Sequence, residues 1–96
     1  MLTHIVLYKL KPSTTPAEVE SLLRQARTRL TALPGVKNLR AGLSIYQDDP
    51  YQCGVVMYFE DESALDRYRV HPDHVRFVEE SVKPLVDEIR RLDYLD

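Results

Sequence analysis

The sequence has a single cysteine, Cys53, no tryptophan, and only three glycines. One thiol excludes an intrachain disulfide framework and a cysteine-built zinc site, and it fits a reduced, cytoplasmic protein. Three glycines and six prolines in 96 residues are too few for a fibrous or low-complexity chain. Long apolar runs are also missing. The longest uncharged stretch, Pro50 to Phe59, has ten residues, against the roughly 18 that a membrane span needs. Ile5-Val6-Leu7-Tyr8 before Lys9 is too short for the apolar core of a signal peptide. Neither sign of charge dominates: 13 Lys and Arg face 15 Asp and Glu, a net charge of −2. Neither nucleic acid nor an anionic membrane is therefore expected as a partner. There is no glycine-rich phosphate loop, no Gly-x-Ser-x-Gly and no His-Glu-x-x-His.

What is present is a globular composition, 44% hydrophobic and 29% charged, over a length that suits one domain spanning 1–96. Thr3–Lys11 alternates and is rich in Ile, Val, Leu and Tyr, which predicts a strand. Thr15-Pro16-Ala17-Glu18 is a helix start, with Thr15 as cap, Pro16 in the first turn and Glu18 closing a capping box. Val19, Leu22, Leu23, Ala26, Leu30 and Leu33 then form one apolar stripe, and Leu33-Pro34-Gly35 stops the helix. The Arg24, Arg27 and Arg29 side of that helix reads as a solvated face. Val36–Ile45 and Gln52–Glu60 read as strands separated by the turn chemistry of Gln47-Asp48-Asp49-Pro50. A short helix capped by Asp61-Glu62-Ser63 covers about 62–69. A second helix restarts at His71-Pro72 and ends near Pro84, and Glu88–Leu95 is the last strand. This order gives an α+β, ferredoxin-like fold: a four-stranded antiparallel sheet with helices on one face.

The two best strands are apolar on both faces. Ile5 and Leu7 point one way, and His4, Val6, Tyr8 and Leu10 the other. Val56 and Tyr58 share one face of the third strand, and Cys53, Val55, Met57 and Phe59 the opposite one. Helices can cover only one side, and an antiparallel sheet with a wet second side alternates apolar with polar. The remaining face would be an apolar patch of several hundred Å². A second copy is the simplest cover. It would make a homodimer through the sheet face, a dimeric α/β barrel burying on the order of 1,600 Å². The His4 face is expected to line the interior of that barrel.

The candidate chemistry lies in the histidines and one tyrosine. His71 and His74 flank the start of the last helix, after Tyr68 at the end of the previous one. A histidine titrates near working pH, and a tyrosine hydroxyl can hold an oxyanion. His74 as base and Tyr68 as oxyanion holder are the expected catalytic pair. His4, Val6, Tyr8, Cys53, Val55, Met57 and His71 are the expected lining of a cavity for a small, partly apolar ligand. Plainer roles stand beside these: His71 as a helix cap, His74 on the surface, Tyr68 in the core, Cys53 as an inert core residue, and Tyr8, Met57 and Phe59 as filling. A metal site is not expected, because nothing completes the ligand set around His71 and His74.

His4-Ile5-Val6-Leu7-Tyr8-Lys9-Leu10-Lys11, Tyr68-Arg69-Val70-His71-Pro72-Asp73-His74-Val75-Arg76-Phe77 and Asp93-Tyr94 together resemble the stress-responsive A/B barrel (Dabb) domain over essentially the whole chain. The resemblance implies a ferredoxin-like homodimer joined through its sheets, and no cofactor. In the family's plant polyketide cyclase, which makes olivetolic acid by an intramolecular aldol condensation, a catalytic tyrosine and histidine match Tyr68 and His74. Two further histidines match His4 and His71. Cys53 departs from the pattern, standing where that enzyme has another pocket histidine.

Overall fold

Strand β1, Leu2–Leu10, runs through the middle of the sheet, flanked by β3, Cys53–Phe59, and β4, Val86–Leu95; β2, Lys37–Leu43, lies outside β3. The computed structural model describes residues 1–96. The strand order is β2-β3-β1-β4, with every neighbouring pair antiparallel, as the ferredoxin-like fold requires. Helix α1, Pro16–Gln25, connects β1 to β2, while α2, Glu62–Val70, and α3, Pro72–Phe77, connect β3 to β4.

Local chemistry sets the helix ends. The Glu18 amide donates to Thr15 Oγ1 at 3.2 Å and the Thr15 amide to Glu18 Oε1 at 2.9 Å, a complete capping box. The Ala64 amide donates to Asp61 Oδ1 at 2.9 Å at the start of α2. The expected single long helix changes pitch: Ala26–Leu30 is a π-helical continuation of α1. Thr28 Oγ1 donates to the carbonyls of Arg24 and Gln25, at 3.0 and 3.3 Å, and so competes with the regular backbone ladder there. The apolar stripe survives the change, and Val19, Leu22, Leu23, Ala26, Leu30 and Leu33 are all buried. Gly35, at φ +85°, then takes the left-handed conformation that favours glycine. A second π-helical segment, Val78–Val82, extends α3.

The arginine side of α1 is more engaged than its charge pattern implies. Arg29 pairs with Glu80 at 3.0 Å and stacks 5.6 Å from the centre of the Phe77 ring, tying α1 to α3. Arg27 donates to the Ala41 carbonyl of β2 at 2.8 Å.

All three helices pack on one face of the sheet, and it is the His4 face. Leu2, His4, Tyr8, Cys53, Val55, Met57 and Phe59 are buried beneath them with Leu22, Leu30, Phe77 and Val82. The expectation that His4, Val6 and Tyr8 face the interior of a two-sheet barrel is therefore corrected: their own helices cover them. The face left open carries Ile5, Leu7, Val56, Tyr58 and Leu92, all half-buried. Both faces are apolar with the same period of two, so periodicity alone does not say which one the helices take; the hand of the crossover decides.

Candidate functional site

The β1–β4 register brings the site together. His4 lies opposite Asp93, Val6 opposite Arg91 and Tyr8 opposite Ile89, all on the helix-covered face. His4, fully enclosed, pairs through Nδ1 with Asp93 Oδ1 at 2.5 Å. A carboxylate only accepts, so Nδ1 carries the hydrogen and Nε2 is the free ring nitrogen. The other carboxylate oxygen, Asp93 Oδ2, faces Arg69 at 3.6 Å. Arg69 belongs to α2, so the pair ties the edge strand to the helix that carries Tyr68.

His74 sits in α3, directly after the break at His71-Pro72. Its Nδ1 lies 3.0 Å from the Arg69 carbonyl and donates to it, which leaves Nε2 with its lone pair. Burial lowers the His74 pKa below the usual 6.5, and this outweighs the opposing effect of the Arg69 carbonyl. The neutral, base-competent form is thereby favoured. The Tyr68 ring packs 4.4 Å from the His74 ring and 6.2 Å from the His4 ring, centre to centre. Burial pushes the Tyr68 and Tyr8 hydroxyls above the usual phenol range, so both remain donors at any physiological pH. Neither hydroxyl has a hydrogen-bond partner in the protein, and neither is sealed off, since no side-chain nitrogen or oxygen is both buried and unpartnered.

These groups surround one cavity between sheet and helices. His4, Tyr8, Tyr68, His74, Arg69 and Arg91 supply its polar lining, and Val6, Val55, Met57 and Phe77 are among its apolar walls. Its volume is about 50 Å³. That is room for a few waters or one small functional group, well below the ~300 Å³ at which drug-sized pockets begin.

Of the residues expected at the site, His4, Val6, Tyr8, Val55, Met57, Tyr68 and His74 meet here. Two do not. His71 caps α3, its Nδ1 accepting from the Asp73 amide at 3.1 Å, and it lies in a separate groove with Pro34 and Arg67. Cys53 is buried on the same sheet face but outside the cavity lining, with its thiol pushed up to about 11 by burial. His71 and His74 thus serve different partners, one an amide and the other a carbonyl. Sequence reasoning missed Asp93, Arg69 and Arg91 as site residues. Asp93 stands in the Asp-Tyr pair near the C-terminal end, but only the strand register shows that it meets His4.

Residues 2–96 match the family model of the stress-responsive A/B barrel domain. A stress-response A/B barrel domain-containing protein of Arabidopsis thaliana is 29% identical over 97 residues, covering 99% of this chain and 36% of that protein. The chain thus spans about a third of the length of that relative. The crystal structure of a Dabb family protein with a ferredoxin-like fold from Mesorhizobium loti is 33% identical, with a TM-score of 0.87 and coverage of 99% and 95% of the two chains. A dimeric ferredoxin-like protein of unknown function from Jannaschia sp. CCS1 is 25% identical, with a TM-score of 0.75 and coverage of 99% and 98%.

Proposed function

Because the chain belongs to the stress-responsive A/B barrel family, we propose that it acts as a cytoplasmic homodimer, paired through the open sheet face, in which each subunit binds a small, partly apolar molecule beside Tyr68 and His74. The dimeric state of the Jannaschia relative supports the pairing, as does the half-buried apolar face of Ile5, Leu7, Val56 and Tyr58. One observation carries the ligand reading: the Tyr8 and Tyr68 hydroxyls, without a protein partner, meet the His4 and His74 rings, each bonded through Nδ1 only, at a single cavity with mainly apolar walls. A cavity meant only to be filled would not gather two tyrosine hydroxyls and two histidine rings in its lining. At about 50 Å³ it receives the functional group of a ligand. Anything bulkier must displace α3, whose connection to α2 is the single residue His71. Amide-resolved NMR titration with small carbonyl and carboxyl compounds tests this reading. Saturable shifts centred on residues 4–8, 68–74 and 89–93 are expected, and their absence would remove the ligand.

A second reading is favoured by the His74 geometry. With Nδ1 committed to the Arg69 carbonyl, Nε2 can take a proton from the carbon next to a carbonyl while the Tyr68 hydroxyl donates to the developing oxyanion. The protein would then be a cofactor-free enzyme for aldol cyclisation or isomerisation. Exchange of α-protons of acetoacetate in D₂O measures this step. Catalysed exchange that is lost in His74→Ala and in Tyr68→Phe, with the dimer intact, is the result expected of an enzyme. Exchange at the same rate in both variants would rule the reading out.

A further inference from the structure

The cavity holds more positive charge than its own carboxylate neutralises. Arg91 lines it from β4, directly opposite Val6, and takes part in no ion pair or side-chain hydrogen bond with the protein. The nearest acid on its strand face is Asp93, two residues along. Both oxygens of Asp93 are already engaged, Oδ1 with His4 and Oδ2 with Arg69. Arg69 also reaches Asp66, at 3.9 Å. Arg91 is therefore the one guanidinium at this cavity without a counter-charge. Beside it are the two phenol hydroxyls that lack protein partners, those of Tyr8 and Tyr68. The two imidazoles add no negative charge, and the Cys53 thiol, outside the lining, stays protonated.

We infer that the cavity is selective for a carboxylate, with Arg91 as the specificity determinant and the Tyr8 and Tyr68 hydroxyls donating to the bound oxygens. This deepens the ligand reading above and rests on it. A guanidinium without a counter-charge, with two hydroxyls able to donate beside it, complements a negatively charged acceptor. An amide of the same shape carries no charge for Arg91 to pair with. The size agrees as well, since about 50 Å³ receives one small functional group such as a carboxylate head. Arg91 lines the cavity and is itself exposed, so its charge is placed to draw in an anion from solvent.

The test compares acetate and butyrate with acetamide and butyramide, titrated into the intact protein and followed by amide NMR shifts. Wild type should bind each acid at least tenfold more tightly than its amide. Arg91→Gln should lose that preference while its spectrum away from the cavity stays unchanged, and Arg91→Lys should keep most of it. Acid and amide binding equally well would overturn the carboxylate assignment and leave the ligand reading standing. Inorganic phosphate displacing butyrate at equal concentration would overturn it too, in favour of a general anion site. Failure of all four compounds to bind would sink both readings together.

Discussion

Cys53 shows how strongly position governs chemistry in this protein. Alone among apolar neighbours in β3, its thiol is held at about 11, and since the thiolate is the nucleophile it is inert near neutral pH. Iodoacetamide at pH 8 should modify the folded protein about a hundredfold more slowly than the unfolded chain, measured by mass spectrometry; equal rates would contradict the burial. His74 behaves in the opposite sense. Its native pKa lies below the unfolded value of 6.5, so the unfolded chain binds its proton first as the pH falls. Stability from this group is complete above that value and declines as the pH drops through and below it. Urea midpoints measured from pH 8 to pH 5 should fall less for His74→Gln than for wild type; parallel curves would show that His74 is not desolvated. Tyr68 and His74 were legible in the sequence because they flank a helix break. Arg69 and Arg91 were not, since a surface arginine and a cavity-lining one look alike until the strand register is known.

The elements follow their local signals closely, and the departures have local causes. The Thr15–Glu18 capping box stands as the sequence pattern indicates, and Thr15→Ala should cost about 1 kcal/mol. In a domain of this size that lowers the thermal midpoint by roughly 4–8 °C, as differential scanning calorimetry would show; an unchanged midpoint would mean that the cap contributes nothing. The change to π-helical pitch at Ala26 was not legible, because Thr28 donating back to two carbonyls is a choice of side-chain rotamer. His71 illustrates the same limit. Its place before Pro72 admits both a cap and a ligand, and its ring accepts the Asp73 amide. The α2–α3 junction shapes the cavity more directly than either helix does. It sets Tyr68 and His74 on opposite sides of one extended residue, so their rings meet over the cavity.

The molecule as a whole is a sheet with two apolar sides and helices enough for one. The fold class was readable from element order and apolar alternation, whereas the side the helices take was not, because a period of two describes both faces equally well. The outcome separates two tasks. The covered face, with His4, Tyr8 and Arg91, builds the cavity; the open face, with Ile5, Leu7, Val56 and Tyr58, is the one that the proposed homodimer would bury. Sedimentation equilibrium of the 11.2 kDa chain, together with its Val56→Glu variant, tests this division most directly. The account predicts twice that mass for the wild type at micromolar concentration, and a folded monomer for the variant. A wild type that stays at a single chain's mass at a hundred micromolar would contradict it.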